Sequence, residues 1–259
     1  MSQLATATVE VNGHACRVWT KGQGPKVGFL AGLGGLPRWV PFLDRLAESR
    51  TVVAPSLPGY PGATGHTELD THLDWVLAVR QLLDKAGLDG SDLVGASVGG
   101  AFAAEMAAIF PERVGRLALI APFGLFDDKE PAADPWAQRK DVLPGLMCAE
   151  AATWNELVAP PEGANSVEWP IEMTRASEAA ARAFWPLGNT RLEKRLGLIE
   201  APTLILWGDR DAILPPVYAG TFARAIKGAA RVEIIANAGH LAYLDRPEAL
   251  ANAVLKHFA

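Results

Sequence analysis

Continuous apolar runs recur along the chain, and between them lie segments whose apolar residues are spaced as on one face of a helix. Apolar runs bounded by turn residues are typical of strands buried on both faces of a sheet. The alternation of strands and helices predicts an α/β fold, with a mostly parallel central sheet and helices on both faces. The predicted strands are 8–11, 16–20, 27–30, 51–54, 92–94, 117–121, 203–207 and 232–235. The predicted helices are 42–47, 69–86, 101–110 and 247–258.

This alternation breaks at about residue 125 and resumes at about residue 190. The segment between is rich in Pro, Trp and Ala and shows no strand pattern. We therefore predict that residues 1–124 and 190–259 form the core of the protein. Residues 125–189 are predicted to form a helical lid inserted between two strands.

Aromatic side chains are concentrated in the predicted lid, which holds half of the eight tryptophans. Ligand pockets are commonly lined by apolar and aromatic groups, so we expect lid tryptophans to contact a substrate. The alternative is that they only pack the lid against the core. The predicted pocket residues are Trp136, Trp154 and Trp185, and the fourth tryptophan is Trp169.

The most informative motif is Gly-Ala-Ser-Val-Gly-Gly at residues 95–100, between a predicted strand and a predicted helix. A G-x-S-x-G serine in this setting lies at the tip of a sharp turn, where a strained left-handed backbone exposes its hydroxyl. A side chain at Gly95 or Gly99 would crowd the strand against the helix. Ser97 is therefore the candidate nucleophile, and an ordinary glycine turn is the alternative.

A serine hydroxyl needs a base to take its proton, and the base needs an acid to orient it. Of the five histidines, His240 alone lies in a loop that follows a predicted core strand. The strand 203–207 is followed by Gly-Asp-Arg-Asp, so Asp209 or Asp211 can supply the acid. The other aspartate of the pair is expected to hold the turn through bonds to its backbone.

An oxyanion hole needs two backbone N–H groups that point at the developing charge. Val98, the residue after the candidate nucleophile, is expected to supply one. The glycine-rich loop 31–35 is expected to supply the other, with Leu33 as first choice and Gly34 as the alternative. Because Gly32 and Gly34 have no side chain, the backbone of this loop can approach a substrate closely. No Gly-Lys-Ser/Thr ending follows, which argues against a phosphate-binding loop.

Taken in order along the chain, these motifs resemble the α/β-hydrolase family, and the resemblance covers nearly the whole sequence. It implies an α/β-hydrolase fold with an inserted lid and a triad of Ser97, Asp211 and His240, with Asp211 preferred to Asp209. The family often has His-Gly at the start of the oxyanion loop, where this chain has Ala31 and Gly32. The matching segments are 30–35, 54–62, 95–100, 111–114, 207–211 and 239–240.

Some branches of the family differ from this chain at or next to the predicted nucleophile and histidine. Dehalogenases and epoxide hydrolases have an aspartate where this chain has Ser97. The hydrolases that cleave C–C bonds of ring-cleavage products commonly have Asn before the serine and Trp after the histidine. This chain has Ala96 and Leu241 there, which argues against a C–C bond hydrolase without eliminating it.

Composition narrows the class of protein further. The 259 residues, 49% of them hydrophobic, are enough for a sizeable core without a disulfide or a metal. A net charge of −5 without a basic cluster argues against a nucleic-acid partner. Cys16 and Cys148 are far apart and are expected to be free thiols in a reducing compartment. The chain shows no signal-peptide pattern and no run of about 18 apolar residues, so we expect a cytoplasmic protein without a membrane partner.

The sequence therefore predicts a serine hydrolase without cofactor or metal, which cleaves a carboxylic ester or a related small acyl substrate through an acyl-enzyme. Ser97 attacks the carbonyl, His240 moves the proton and Asp211 orients His240. One alternative is a C–C bond hydrolase that uses the same triad. Another is a ligand receptor built on a hydrolase scaffold, because one fold supports many functions. The oligomeric state is left open.

Overall fold

The computed structural model describes residues 3–187 and 190–259. Within them, eight strands form one sheet in the order β1-β2-β4-β3-β5-β6-β7-β8. β2 is antiparallel to β1 and β4, and the other neighbours are parallel. The strands are β1 (Ala5–Val11), β2 (His14–Lys21), β3 (Lys26–Leu30), β4 (Thr51–Pro55), β5 (Ser91–Ala96), β6 (Val114–Ile120), β7 (Thr203–Gly208) and β8 (Ala230–Ile235).

Helices connect most of these strands, and the predicted α/β class is confirmed. The helices are α1 (Pro41–Ala47), α2 (His72–Lys85), α3 (Ser97–Ile109), α4 (Leu143–Met147), α5 (Ala151–Val158), α6 (Glu168–Phe184), α7 (Glu193–Leu196), α8 (Val217–Ala225), α9 (Ala242–Asp245) and α10 (Pro247–His257). Every predicted strand is present, with small shifts at its ends. The apolar pattern predicts neither α8 nor the single turn α9.

The burial of the strands explains why the sheet could be predicted. β7 is buried at every position, and β5 at all but its first.

In the β1–β2 hairpin, Asn12 and Gly13 have φ angles of 50° and 81°, as a tight two-residue turn requires. Residues with positive φ at both turn positions match the right-handed twist of the strands, which is why an Asn-Gly pair favours a hairpin.

The helix α2 differs from its prediction in its start and in its buried face. It begins at His72 because Thr71 forms a capping box, accepting from the Asp74 N–H at 3.2 Å while Asp74 accepts from the Thr71 N–H at 2.7 Å. Leu73 and Leu77, which share its helical apolar spacing, are exposed. The buried face is Trp75, Val76, Ala78, Val79, Leu82 and Leu83.

Between β6 and β7 the chain leaves the sheet and forms α4, α5, α6 and α7. Arg38 ties the end of α5 to the core, donating to the Leu157 carbonyl at 3.1 Å and to the Ala159 carbonyl. Asn189, the predicted end of the lid, lies outside the described residues. In the described part of the chain, no helix is both long enough and apolar enough to cross a membrane.

Candidate active site

The turn that carries Ser97 joins β5 directly to α3, because the strand ends at Ala96 and the helix begins at the next residue. Ser97 has a left-handed backbone with φ 53°, as the sequence predicts for a nucleophile elbow. A Cβ at Gly95 would lie 2.5 Å from the Gly99 carbonyl oxygen, and one at Gly99 would lie 2.3 Å from the Leu30 carbonyl oxygen. The strand, the helix and β3 therefore approach as closely as glycine allows.

Three side chains meet at the carboxyl end of the sheet. The Ser97 Oγ lies 2.8 Å from His240 Nε2, and His240 Nδ1 lies 2.9 Å from Asp211 Oδ2. Ser97 and His240 are fully buried and Asp211 is nearly so. Each distance is that of a hydrogen bond, so a proton can pass from the hydroxyl to the imidazole while the carboxylate holds the opposite ring nitrogen.

The two aspartates of the Gly-Asp-Arg-Asp loop have different surroundings. Asp211 turns its second oxygen, Oδ1, to the N–H groups of Ile213 and Leu214, each at 2.9 Å. Asp209 instead accepts from the Ala238 N–H at 3.3 Å and so ties this loop to the loop before His240. The structure therefore brings Asp211, and not Asp209, to the histidine.

The loop predicted to complete an oxyanion hole runs beside the serine. A Cβ at Gly32 would lie 3.0 Å from the Ser97 Cβ, and the Gly35 N–H closes the loop on the Gly32 carbonyl at 3.0 Å. No hydrogen bond of the described residues uses the Leu33 N–H. The Val98 N–H belongs to the first turn of α3, where N–H groups have no acceptor within the helix. Val98 follows the serine directly, and Leu33 follows Gly32, which lies beside it.

An aromatic wall adjoins the histidine. The Phe123 ring meets the His240 ring edge to face, with centroids 5.4 Å apart. The backbone N–H of Phe123 donates to the Ser97 carbonyl at 3.0 Å. Phe123 also contacts Trp136 at 6.4 Å and Phe184 at 6.0 Å between centroids. Phe123 and Phe184 were not among the predicted site residues. The only signal for Phe123 is its position just after β6, where strand ends meet at the site.

The four tryptophans of the predicted lid have different positions. The Trp154 ring lies 2.8 Å from where a Cβ of Gly34 would be, so it covers the predicted oxyanion loop. Trp136 reaches the aromatic wall, and its Nε1 donates to the Ser177 carbonyl at 3.1 Å. Trp169 donates to the Val158 carbonyl at 2.9 Å and joins α6 to α5.

Trp185 differs from the other three tryptophans. Its side chain is 57% exposed, and its Nε1 donates to Asp134 Oδ2 at 3.0 Å. Both partners of that bond belong to the segment predicted as the lid. Among the described residues, Trp136 contacts Phe123 and Trp154 contacts Gly34, whereas the exposed Trp185 bonds to Asp134, so its predicted contact with a substrate stays a prediction.

Asp245 links the histidine loop to the inserted segment, and sequence reasoning missed it. Its Oδ2 accepts from the Gly239 N–H at 2.7 Å and from the Ala149 N–H at 2.9 Å. Next to it, the Leu241 N–H donates to the Met147 carbonyl at 2.8 Å. A carboxylate that binds two distant backbone groups leaves no motif in the sequence.

The residues that the structure describes include no metal site, and the two cysteines among them are not reactive. No cluster of three or more His, Cys, Asp or Glu side chains there is suited to a metal ion. Burial raises the pKa of the Cys16 thiol to about 11, and burial with the nearby charge of Asp245 raises the pKa of Cys148. Both free thiols are buried and stay protonated at neutral pH, so they are unreactive.

Comparison with known proteins identifies the family to which this fold belongs. The profile of a family described as alpha/beta hydrolase fold matches residues 28–247. The chain belongs to this family. It is 29% identical to the dihydrolipoyllysine-residue acetyltransferase component of an acetoin cleaving system from Cupriavidus necator, over 95% of this chain and 67% of the relative.

Two further similarities bear on the chemistry of this α/β hydrolase. A 2-hydroxy-6-oxo-6-phenylhexa-2,4-dienoate hydrolase from Burkholderia cepacia is 28% identical, over 92% of this chain and 89% of the relative. The crystal structure of a membrane phospholipase A, a bacterial virulence factor, superposes with a TM-score of 0.79 at 26% identity, over 98% of this chain and 86% of that chain. Hydrolases of different bonds are thus among its relatives.

Proposed function

We propose that the protein is a serine hydrolase that cleaves a carboxylic ester or a related small acyl compound. The main support is the unbroken hydrogen-bonded series from Ser97 Oγ through His240 to Asp211, with distances of 2.8 Å and 2.9 Å. The left-handed backbone of Ser97 adds to it, because such strain is kept where the surrounding structure over-determines it. A serine that only packed in the core would need neither feature.

In the proposed reaction, the Ser97 Oγ attacks the carbonyl carbon of the substrate while its proton passes to His240 Nε2. The Val98 and Leu33 N–H groups bind the oxyanion that forms on the carbonyl oxygen. Collapse of this intermediate breaks the bond to the leaving alcohol, which takes the proton from His240. Water then attacks the acyl-enzyme, with His240 again accepting a proton, and the acid and Ser97 are released.

Asp211 keeps His240 in the productive orientation. With Nδ1–H donating to Asp211 Oδ2, the lone pair of His240 Nε2 is directed at the serine hydroxyl. The Ile213 and Leu214 N–H groups hold the other oxygen of the carboxylate. The carboxylate therefore cannot turn away, and it stabilises the imidazolium that forms when the proton is transferred.

We also propose that the insertion between β6 and β7, predicted as 125–189, is a lid over the site. Ser97 and His240 are fully buried, so a substrate reaches them only if this cover moves. Trp154 over Gly34 and Trp136 against Phe123 are the contacts that opening would break. The aromatic wall beside His240 favours a substrate with an apolar acyl or aromatic group.

A positioning role is proposed for Asp245. Its carboxylate fixes the N–H of Gly239, the residue before His240, and through Ala149 it fixes the adjoining part of the insertion. The histidine loop and the cover are thus held by one oxygen atom. Loss of that atom is expected to shift His240 relative to Ser97.

Cleavage of a C–C bond by the same triad is the second candidate, and the relative from Burkholderia cepacia favours it. The substrate in that relative's name carries a ketone and no ester, so its hydrolysis breaks a C–C bond. Ala96 and Leu241, which flank Ser97 and His240 in sequence, argue for ester cleavage, because the C–C hydrolases commonly have Asn and Trp there. A receptor on the same scaffold would bind without turnover.

The test uses a fluorophosphonate probe and a substrate panel. The probe is expected to label Ser97 alone, as peptide mapping would show, and Ser97→Ala is expected to abolish labelling and turnover. A panel of acyl esters and vinylogous diketones, with product analysis, separates ester from C–C cleavage. Labelling at another serine, or binding without repeated turnover in the folded protein, would contradict the proposal.

The partners proposed with this function are limited to a small acyl substrate, without nucleic acid, metal or membrane. A reducing, cytoplasmic location is part of the same proposal. Its support is the pair of free, buried cysteines, Cys16 and Cys148, in a chain whose core is large enough to need no disulfide.

A further inference from the structure

β8 is the last strand of the sheet, and its surface is unlike that of its neighbour β7. β7 is buried at all positions, whereas four of the six residues of β8 are exposed. Val232 is 40% exposed and Ile234 is 49% exposed on one face of the strand. Arg231 and Glu233 are exposed on the other face. An edge strand with apolar side chains and open backbone groups is a template for pairing with another strand.

The hydrogen bonds to β7 show which backbone groups of β8 are open. The Thr203 N–H donates to the Ala229 carbonyl at 2.8 Å, and the Asp209 N–H donates to the Ile235 carbonyl at 3.0 Å. Odd-numbered residues of β8 therefore direct their backbone groups at β7. Since the direction alternates along a strand, Ala230, Val232 and Ile234 direct theirs away from the sheet.

We propose that β8 pairs antiparallel with β8 of a second copy of this chain, around a two-fold axis at Val232. Val232 would face Val232 of the second copy and Ala230 would face Ile234, with each of these pairs exchanging backbone hydrogen bonds. Arg231 would face Glu233 of the second copy, and the two-fold axis repeats that pair. The two eight-stranded sheets would then form one continuous sheet.

The sequence of β8 singles out this register. Shifting the strands by one residue places residues whose backbone groups point away from β7 opposite residues whose groups point toward β7. The two strands then cannot exchange backbone hydrogen bonds. Shifting by two residues places Arg231 opposite Arg231, or Glu233 opposite Glu233. Like charges directly opposite each other are destabilising, and opposite charges are stabilising. A symmetric dimer needs one patch that is complementary to itself, and Arg231, Val232 and Glu233 form such a patch.

The charge pattern gives a sharp test of this dimer. Glu233→Arg places Arg opposite Arg231 in the paired strands and is expected to give a monomer. The double variant Arg231→Glu with Glu233→Arg restores opposite charges and is expected to dimerise again. An equimolar mixture of the two single variants, Arg231→Glu and Glu233→Arg, is expected to form a heterodimer. The matched control is Glu10→Arg, the same charge reversal on the exposed face of the opposite edge strand β1.

A backbone variant tests the ladder itself. Val232→Pro removes an N–H that points away from β7, so it is expected to leave the fold intact and to abolish dimerisation. Mass is measured by light scattering after size exclusion and by sedimentation velocity, at about 100 µM protein, where a micromolar dissociation constant gives mostly dimer. Circular dichroism verifies the fold of each variant.

Three results would overturn the proposal. One is a monomeric wild-type protein under these conditions. Another is a dimer that persists in folded Val232→Pro or Glu233→Arg, since the contact would then lie elsewhere. The third is a double charge variant that stays monomeric although it is folded.

Discussion

The core and the insertion position their functional groups in different ways. In the core, Ser97, Asp211 and His240 lie within a few residues of the ends of β5, β7 and β8, so the backbone of short turns places them. The insertion is held by side chains that reach backbone carbonyl groups, such as Arg38 at Leu157. We infer that the sheet fixes the proposed chemistry, while the side chains of the insertion are expected to determine access and substrate preference.

The largest effect is expected from the acid of the proposed triad, on the core side of the comparison. Asp211→Asn should lower kcat by about 10⁴-fold, because Asn stabilises the wrong histidine tautomer, as in serine proteases. Asp209→Asn is the matched control and should mainly lower the free energy of unfolding, by about 1 kcal/mol. Kinetics and urea midpoints of both variants measure this. If Asp209→Asn is inactive and Asp211→Asn is active, the carboxylate that orients His240 is Asp209 and not Asp211.

Asp245 lies where the two regions meet, and its loss is expected to have the next largest effect. Asp245→Ala should lower kcat by about 100-fold, since a displacement of roughly 1 Å at a reacting group has that effect. Asp245→Asn should keep much of the activity. Its carbonyl oxygen can accept both N–H groups, and its NH₂ takes the place of Oδ1, which has no partner among the described residues.

A purely structural role for Asp245 would give a different result. It would lower the urea midpoint of both variants and leave the kcat of the folded protein unchanged. Glu248→Ala, at an exposed position at the start of α10, controls for the loss of a nearby carboxylate.

The insertion is expected to act on KM. Trp136→Ala or Trp154→Ala should raise KM for an apolar acyl ester by about tenfold, as the loss of roughly 1–2 kcal/mol of apolar contact implies. Trp185→Ala, at an exposed position, should leave KM unchanged. Probe labelling of Ser97 should persist in all three variants. If KM is unchanged in every one, the tryptophans only pack the insertion against the core.

The last prediction concerns Glu105, on the helix behind the serine. Arg195 donates to it at 2.5 Å and 2.7 Å, and His72 Nε2 lies 2.9 Å away. Burial alone would raise the pKa of Glu105, but these bonds outweigh burial and the pKa is lowered. The carboxylate therefore stabilises the folded state above the ordinary pKa of about 4.5, and this contribution is lost as the pH falls through the lower folded value.

Glu105→Gln tests this statement on stability. It should lower the free energy of unfolding by about 1.5 kcal/mol at neutral pH, the loss expected for hydrogen bonds to a charged group. The gap to the wild type should close as the pH falls from the ordinary pKa of about 4.5 through the lower folded value. Urea unfolding across this pH range measures both quantities. A gap that does not depend on pH would show that the charge of Glu105 contributes nothing.

The sequence predicts the core better than the insertion for a physical reason. Strands buried on both faces appear as continuous apolar runs. The turn that carries Ser97 needs glycine at positions 95 and 99, because a side chain there would collide with neighbouring backbone. The orientation of a tryptophan depends instead on its distant neighbours, so Trp154 and Trp185 look alike in sequence but differ in burial. Asp245 could not be found because its partners are backbone groups, which every residue has.

Gly34 has a consequence for the modular design of such enzymes. Its φ of 82° suits glycine, and the Trp154 ring occupies the space that any Cβ would fill. Gly34 and Trp154 must therefore be exchanged together when the insertion is moved to another protein. A chimaera that grafts this insertion onto another hydrolase core inherits a steric clash unless the recipient has glycine at the matching place. A library that shuffles insertions should keep loop and insertion from the same parent.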